Sequence, residues 1–227
     1  GLILPAFNTT NMEMTYAIAK GLDAAKLPGY IQISSNNLRL SNPYVIAAVA
    51  KDAADKYETP IGLHLDHGRS FADVKACVDA GFTSIMVPFE ENIKESRRTV
   101  EYCHFYGIPV EVELGALGGK EDDIQGKEGE GKTDPGMVAE FVEKTGCDLL
   151  AVSVGNVHGL VMEPHIDIAL LDKINKVCPV PLVMHGGSGI PYPVLQEARK
   201  HGLLKCNFGA DLRKAFITTF GEAYEAN

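Results

Sequence analysis

Ile3-Leu4-Pro5-Ala6-Phe7-Asn8-Thr9-Thr10-Asn11 reads as a buried strand running into a polar turn that contains no glycine. An open, doubly wound sheet that cradles a dinucleotide needs a glycine-rich phosphate loop at this point. Beyond it the chain keeps alternating strand and helix. Short runs, β-branched-rich or continuously apolar, occupy residues 30–34, 61–66, 84–87, 109–114, 149–154, 181–185 and 204–208, the pattern of strands buried on both faces. Helices are predicted over 12–22, 42–57, 70–80, 93–106, 134–145, 166–177, 192–201 and 212–226. Counting residues 3–8, eight strand–helix units without a phosphate loop predict one closed (β/α)8 TIM barrel over residues 1–227. Its active site would lie at the C-terminal strand ends.

Composition narrows the function. Hydrophobic residues make up 45% and charged residues 22%, which excludes wholesale disorder. No apolar run reaches the roughly 18–20 residues of a membrane span, and the N-terminus shows no basic segment with a cleavage site, so no signal peptide is expected. Lysine and arginine number 21 against 30 acidic residues, a net charge of −9 that makes a poor match to nucleic acid. Cys77, Cys103, Cys147, Cys178 and Cys206 form no CxxC pair and read as reduced core thiols of a cytoplasmic protein.

In a barrel the strand ends meet at one mouth. The third strand ends in His64-Leu65-Asp66-His67-Gly68, and the fifth carries Glu111-Val112-Glu113. The sixth leads to Gly155-Asn156-Val157-His158-Gly159, the seventh to His185-Gly186-Gly187-Ser188-Gly189, and the eighth to Asn207-Phe208-Gly209-Ala210-Asp211. Three imidazoles from three strands, His67, His158 and His185, suit one zinc ion and leave a fourth position for substrate. Asp66, beside the first of them, is placed to act as an acid/base. A lone histidine is more often structural, and His104, His165 and His201 are read that way. His64 shares parity with Asp66 and is read as pointing inward behind the ligands. The glycines after the seventh strand read as tight turns or as a phosphate cradle, and that position in a barrel favours phosphate. The polar stretch from Gly118 to Lys132 reads equally as a solvated loop or as a lid bearing an acid/base carboxylate.

These residues resemble the class II, metal-dependent ketose-bisphosphate aldolases, the family of fructose- and tagatose-1,6-bisphosphate aldolases. The resemblance runs through Pro5-Ala6-Phe7-Asn8, Leu63-His64-Leu65-Asp66-His67, Pro88-Phe89-Glu90-Glu91-Asn92-Ile93, Gly155-Asn156-Val157-His158-Gly159 and Met184-His185-Gly186-Gly187-Ser188-Gly189. It implies that His67, His158 and His185 hold Zn2+ and that Glu113 takes a second or displaced metal. It implies that Asp66 moves the C4 hydroxyl proton and that Glu121 exchanges a proton with the dihydroxyacetone phosphate carbon. Gly159, Gly186 and Ser188 would cradle that molecule's phosphate, with Asn8, Asn207 and Gly209 facing the ketose and Ser34 the distal phosphate. Relatives of this kind assemble as homodimers or homotetramers.

The chain departs from the family pattern at four places. An insert before Pro88, a lysine after Gly159 and a C-terminal extension are missing, so the 227 residues are expected to be the ordered part of a longer protein. An intact mass near 24.5 kDa would refute that. Gly209-Ala210 replaces a family threonine and its neighbour, which leaves the sugar open. Fructose 1,6-bisphosphate ranks first as substrate, then tagatose 1,6-bisphosphate, then another ketose 1-phosphate. A non-catalytic accessory subunit and a metal-dependent hydrolase are the remaining readings.

Overall fold

The computed structural model describes residues 2–87, 92–115, 118–121, 124–126, 131–160 and 164–226; of 118–121 and 124–126 it describes the backbone alone. In chain order the elements are β1 (Leu4–Asn8), α1 (Met12–Ala25), β2 (Gly29–Ser34), α2 (Ser35–Leu40), α3 (Pro43–Ala54), β3 (Ile61–Asp66) and α4 (Phe71–Ala80). Next come β4 (Ser84–Val87), α5 (Ile93–Phe105), β5 (Val110–Leu114), β6 (Gly118–Glu121), β7 (Ile124–Gly126) and α6 (Pro135–Thr145). The chain continues with β8 (Leu149–Val152), β9 (Val157–His158), α7 (Ile168–Val177), β10 (Leu182–Met184), α8 (Tyr192–Lys200), β11 (Leu203–Phe208) and α9 (Ala210–Glu225).

Eight strands close a barrel in the order β1-β11-β10-β8-β5-β4-β3-β2, every pairing parallel. This is the predicted TIM barrel. Alternation along each strand separates two environments. Ile31 and Ile33, Leu63 and Leu65, Val110 and Val112 join the apolar core shared with the helices. The intervening Gln32, His64, Asp66, Glu111 and Glu113 are also buried, on the opposite face of their strands. The barrel interior is therefore largely polar, where layers of Val, Ile and Leu are usual.

Helix boundaries follow local capping. The helix expected over 42–57 runs Pro43–Ala54, because Asn42 accepts from the Tyr44 N–H and Pro43 fills the first turn, where no amide is needed. Ser70 caps α4 through the Asp73 amide, and Gly81 ends it at φ 93°. Periodicity missed the six-residue α2, which leaves β2 without a turn. It also missed β6, β7 and β9. The stretch read as loop or lid contains a hairpin whose β6 pairs with β9, Gly118 opposite Val157 and Gly119 opposite His158.

The five cysteines are free thiols, four of them buried, as expected. Burial pushes Cys77, Cys103 and Cys206 up to about 12, so they stay protonated and unreactive. Among the described residues no helix is long and apolar enough to cross a membrane.

Candidate active site at the barrel mouth

His67, His158 and His185 converge. Each offers one nitrogen, and the three atoms lie within 4.8 Å of one another. They come from the turn after β3, from β9 and from the turn after β10. His67 has φ 50°, a left-handed conformation that a non-glycine residue rarely adopts and that favours a functional site. The Ser35 hydroxyl donates to the His67 carbonyl at 2.5 Å, and the next amide, Gly68, donates to Met86 O at 3.0 Å, which holds that turn.

His185 is nearly inaccessible at 1% exposure. Its Nε2 lies 2.7 Å from Glu111 Oε1. An ionised carboxylate only accepts, so Nε2 carries the proton and Nδ1 keeps its lone pair. That Nδ1 is buried with no hydrogen-bond partner among the described residues. A buried orphan acceptor flanked by two further imidazoles is a donor set that fits a divalent metal. Burial disfavours the His185 cation, but Glu111 and Glu113 outweigh it and raise its basicity. A carboxylate behind a metal-binding imidazole has this effect and also fixes the ring.

Glu111 belongs to a buried charge cluster that the sequence reading did not assign. Lys205 is 2% exposed, and its ammonium donates to Glu111 Oε2 at 2.9 Å and to Asn207 Oδ1 at 2.8 Å. The third donor lies 3.4 Å from His64 Nε2. Since Lys205 donates there, His64 is the Nδ1–H tautomer, donating to Ser84 Oγ at 2.8 Å. Burial and the Lys205 charge keep His64 neutral, well below its ordinary pKa. Burial opposes ionisation of Glu111, yet Lys205 and His185 prevail and hold its carboxyl below the usual carboxylate range. Lys205 is the third residue of β11, and its amine reaches the carboxylate that holds His185. The available signal was parity: Glu111 with Glu113, and Lys205 with Asn207, are polar residues two apart in otherwise apolar strands.

Asp66 is 1% exposed, with Oδ1 3.9 Å from His67 Nε2. Asn8 Nδ2 donates to its Oδ2 at 2.7 Å and Asn207 Nδ2 to its Oδ1 at 3.3 Å. Gln32, also unassigned from sequence, donates both to Asn8 Oδ1 and to Asp66 Oδ2. Neutral amides thus aim the Asp66 carboxylate.

Six of the seven predicted substrate contacts, Asn8, Gly159, Gly186, Ser188, Asn207 and Gly209, line one cleft together with His158 and His185. Ala210 and Arg213 complete it. Ser34 ends β2, opposite Asp66 in register, with its hydroxyl buried, and does not line this cleft. Glu113 lies with Oε2 4.0 Å from His67 Nδ1 but outside the three-histidine group. The Glu121 side chain lies outside the described residues, as do residues 88–91.

Gly186 sits at φ 63°, and a Cβ there would meet the Val157 carbonyl oxygen at 2.1 Å. Gly186→Ala forces His185 and His158 apart, since each neighbours one side of that contact. The expected outcome is a loss of at least about 1–3 kcal/mol in stability, read by denaturant melts, together with weaker metal retention.

A parallel barrel with three convergent imidazoles beside a buried carboxylate at its C-terminal mouth has the layout of a (β/α)8 barrel enzyme. Comparison with known proteins narrows this. The family described as fructose-bisphosphate aldolase class-II matches residues 1–227. The fructose-bisphosphate aldolase of Geobacillus stearothermophilus is 41% identical over 225 residues, covering 95% of this chain and 78% of the relative. The probable fructose-bisphosphate aldolase of Bacillus subtilis is 37% identical over 220 residues, covering 93% and 77%. The crystal structure of the YdjI aldolase from Escherichia coli K12 superposes with TM-score 0.87 at 31% identity, covering 99% of this chain and 82% of that one. The chain belongs to the class II fructose-bisphosphate aldolase family. It is an aldolase, a carbon–carbon lyase of a metal-dependent family that takes phosphorylated ketoses.

Proposed function

We propose that residues 1–227 act as one catalytic domain that reversibly cleaves fructose 1,6-bisphosphate to dihydroxyacetone phosphate and glyceraldehyde 3-phosphate, with Zn2+ held by His67, His158 and His185. The observation that carries the reading is the convergence of these imidazoles beside Asp66, at the edge of a glycine- and serine-lined cleft. A divalent metal bound there supplies Lewis-acid polarisation of the substrate carbonyl, the electron sink that carbon–carbon cleavage needs. Three imidazoles favour zinc among the common divalent ions.

The chain's own residues do the rest. Asp66 takes the proton of the C4 hydroxyl as the C3–C4 bond breaks and its electron pair moves to C3. The new carbonyl leaves as glyceraldehyde 3-phosphate. Glu121 then protonates C3, which releases dihydroxyacetone phosphate, and microscopic reversibility returns both protons in condensation. Gly159, Gly186 and Ser188 hold the 1-phosphate, Asn207 and Asn8 keep Asp66 aimed, and Ser34 faces the distal phosphate. Glu113 offers an alternative metal position next to His67. A homodimer or homotetramer is the assembly expected. Its support is the apolar outer face of α9, where Ile217, Phe220 and Tyr224 are exposed. Light scattering of the purified protein tests that.

The deciding experiment is cleavage of fructose 1,6-bisphosphate with and without EDTA, read by coupled reduction of dihydroxyacetone phosphate. EDTA-sensitive turnover supports the reading. A zinc-loaded protein that cleaves only tagatose 1,6-bisphosphate would shift the substrate and keep the chemistry. His158→Ala is expected to lose metal and activity together, and full zinc occupancy in that variant would remove His158 from the ligand set.

A further inference from the structure

Building on the reading of His67 as a metal ligand, we propose that Ser35 is a positioning residue whose hydroxyl holds His67 in its left-handed conformation. That conformation lets two successive residues, Asp66 and His67, face one site. Alternation along a regular strand forbids such a pair. Leu63 and Leu65 enter the apolar core on one face of β3, while His64 and Asp66 are buried on the other. Continued by one residue, the strand would turn His67 to the side of Leu65. Instead its ring centroid lies 4.9 Å from that of His185 and 5.8 Å from that of His158. Its Nε2 is 3.9 Å from Asp66 Oδ1. The break in alternation coincides with the φ of 50° at His67. A residue with a Cβ resists that conformation, so its surroundings must hold it.

One peptide group carries the constraint. The His67 carbonyl and the Gly68 amide lie in the same plane. Ser35 Oγ donates to that carbonyl from the β2 side at 2.5 Å, and the Gly68 amide donates to Met86 O on the β4 side at 3.0 Å. With the plane pinned at both ends, the torsions that adjoin it are fixed, and the chain does not relax at His67 to the extended form. The turn also lays Gly68 against Leu65, where a Cβ would stand 2.8 Å from Leu65 Cδ2. The junction of β2 and α2 places the hydroxyl. Ser34 pairs with Asp66 in the sheet, and α2 starts at the next residue, Ser35, which is 5% exposed. Asn37 Nδ2 donates to Thr9 O at 3.0 Å and ties α2 to the turn after β1. Met86 acts through its backbone, so Ser35 is the side chain through which substitution probes this peptide.

The test compares the parent protein with Ser35→Ala, Ser35→Thr, Ser35→Val and Asn37→Ala. Each is stripped of metal and titrated with Zn2+ against a chelator. Co2+ is added in parallel, and its visible spectrum reports ligand number and geometry. Ser35→Ala is expected to bind Zn2+ about 10–100-fold more weakly, the usual result of removing a group that orients a metal ligand. Its Co2+ bands should shift and weaken as His67 leaves the ligand set. Ser35→Thr keeps the hydroxyl and should recover most of the affinity. Ser35→Val has the shape of Ser35→Thr without the hydroxyl and should bind as weakly as Ser35→Ala. Asn37→Ala frees α2 from Thr9 without touching the His67 peptide and should match the parent. Unchanged zinc affinity and cobalt spectrum in Ser35→Ala overturn the assignment. Equal weakening in Ser35→Ala and Asn37→Ala overturns it as well, because it marks a general loosening of α2. Equal affinities in Ser35→Thr and Ser35→Val do the same, because the hydroxyl then has no part. The reaction and the assignment fail separately. A parent that binds Zn2+ more tightly than Ser35→Ala but cleaves no ketose phosphate keeps the assignment and loses the reaction. A parent that cleaves, with equal zinc affinity in Ser35→Ala, keeps the reaction and loses the assignment. A parent that neither cleaves nor takes up either ion loses both.

Discussion

Asp66→Ala lowers turnover by about 10²–10⁴-fold, the worth of one positioned acid/base, while metal content stays that of the parent protein. The side chain is not part of the three-imidazole group, so its removal leaves the metal donors in place. It is, however, the shared acceptor of Asn8, Asn207 and Gln32. Both carboxylate oxygens accept from amide N–H groups, so asparagine would set its own NH2 against a donor, and alanine is the cleaner deletion. Metal analysis alongside steady-state kinetics decides the outcome. Unchanged turnover would reject Asp66 as the acid/base. Loss of metal together with turnover would make it a structural support.

Lys205→Met is expected to destabilise the barrel by about 3–5 kcal/mol, because it leaves a buried carboxylate without its cation. Glu111 is fully buried, and Lys205 supplies its one lysine or arginine contact among the described residues. For a chain of this length that corresponds to a fall in Tm of roughly 6–20 °C. Adding Glu111→Gln to Lys205→Met removes the stranded charge and should return part of the stability. It should also lower metal affinity by about 10–100-fold, since the carboxylate behind His185 is gone. A single Lys205→Met variant that melts with the parent would show that His185 alone suffices to balance the Glu111 carboxylate.

Most of the architecture was legible along the chain. Strands at residues 61–66 and 84–87 match β3 and β4 residue for residue, because an apolar run bounded by Pro60 or Thr83 and a polar turn leaves little freedom. The helix at 70–80 came within one residue, its limits set by Ser70 and Gly81. The short α2 and the β6–β7–β9 sheet were not legible. Their residues carry no periodic apolar face, and β9 exists as a strand only where β6 lies beside it. His67, His158 and His185 were found because each stands at a strand end before a glycine.

The sequence by itself determined the barrel, through eight repeats of a local pattern, and nominated the three histidines and Asp66 through their place in that pattern. Tertiary structure alone decided what supports them. Lys205, Glu111 and His185 are 94 and 74 residues apart in pairs, yet form one hydrogen-bonded chain. Gln32 reaches Asp66 from the neighbouring strand, and Arg213 of α9 lines the same cleft as His158 and His185. Periodicity reports which face of an element is buried, not which distant polar groups meet there. Closing the sheet into a barrel brings those groups together, and burial then requires that each find a partner.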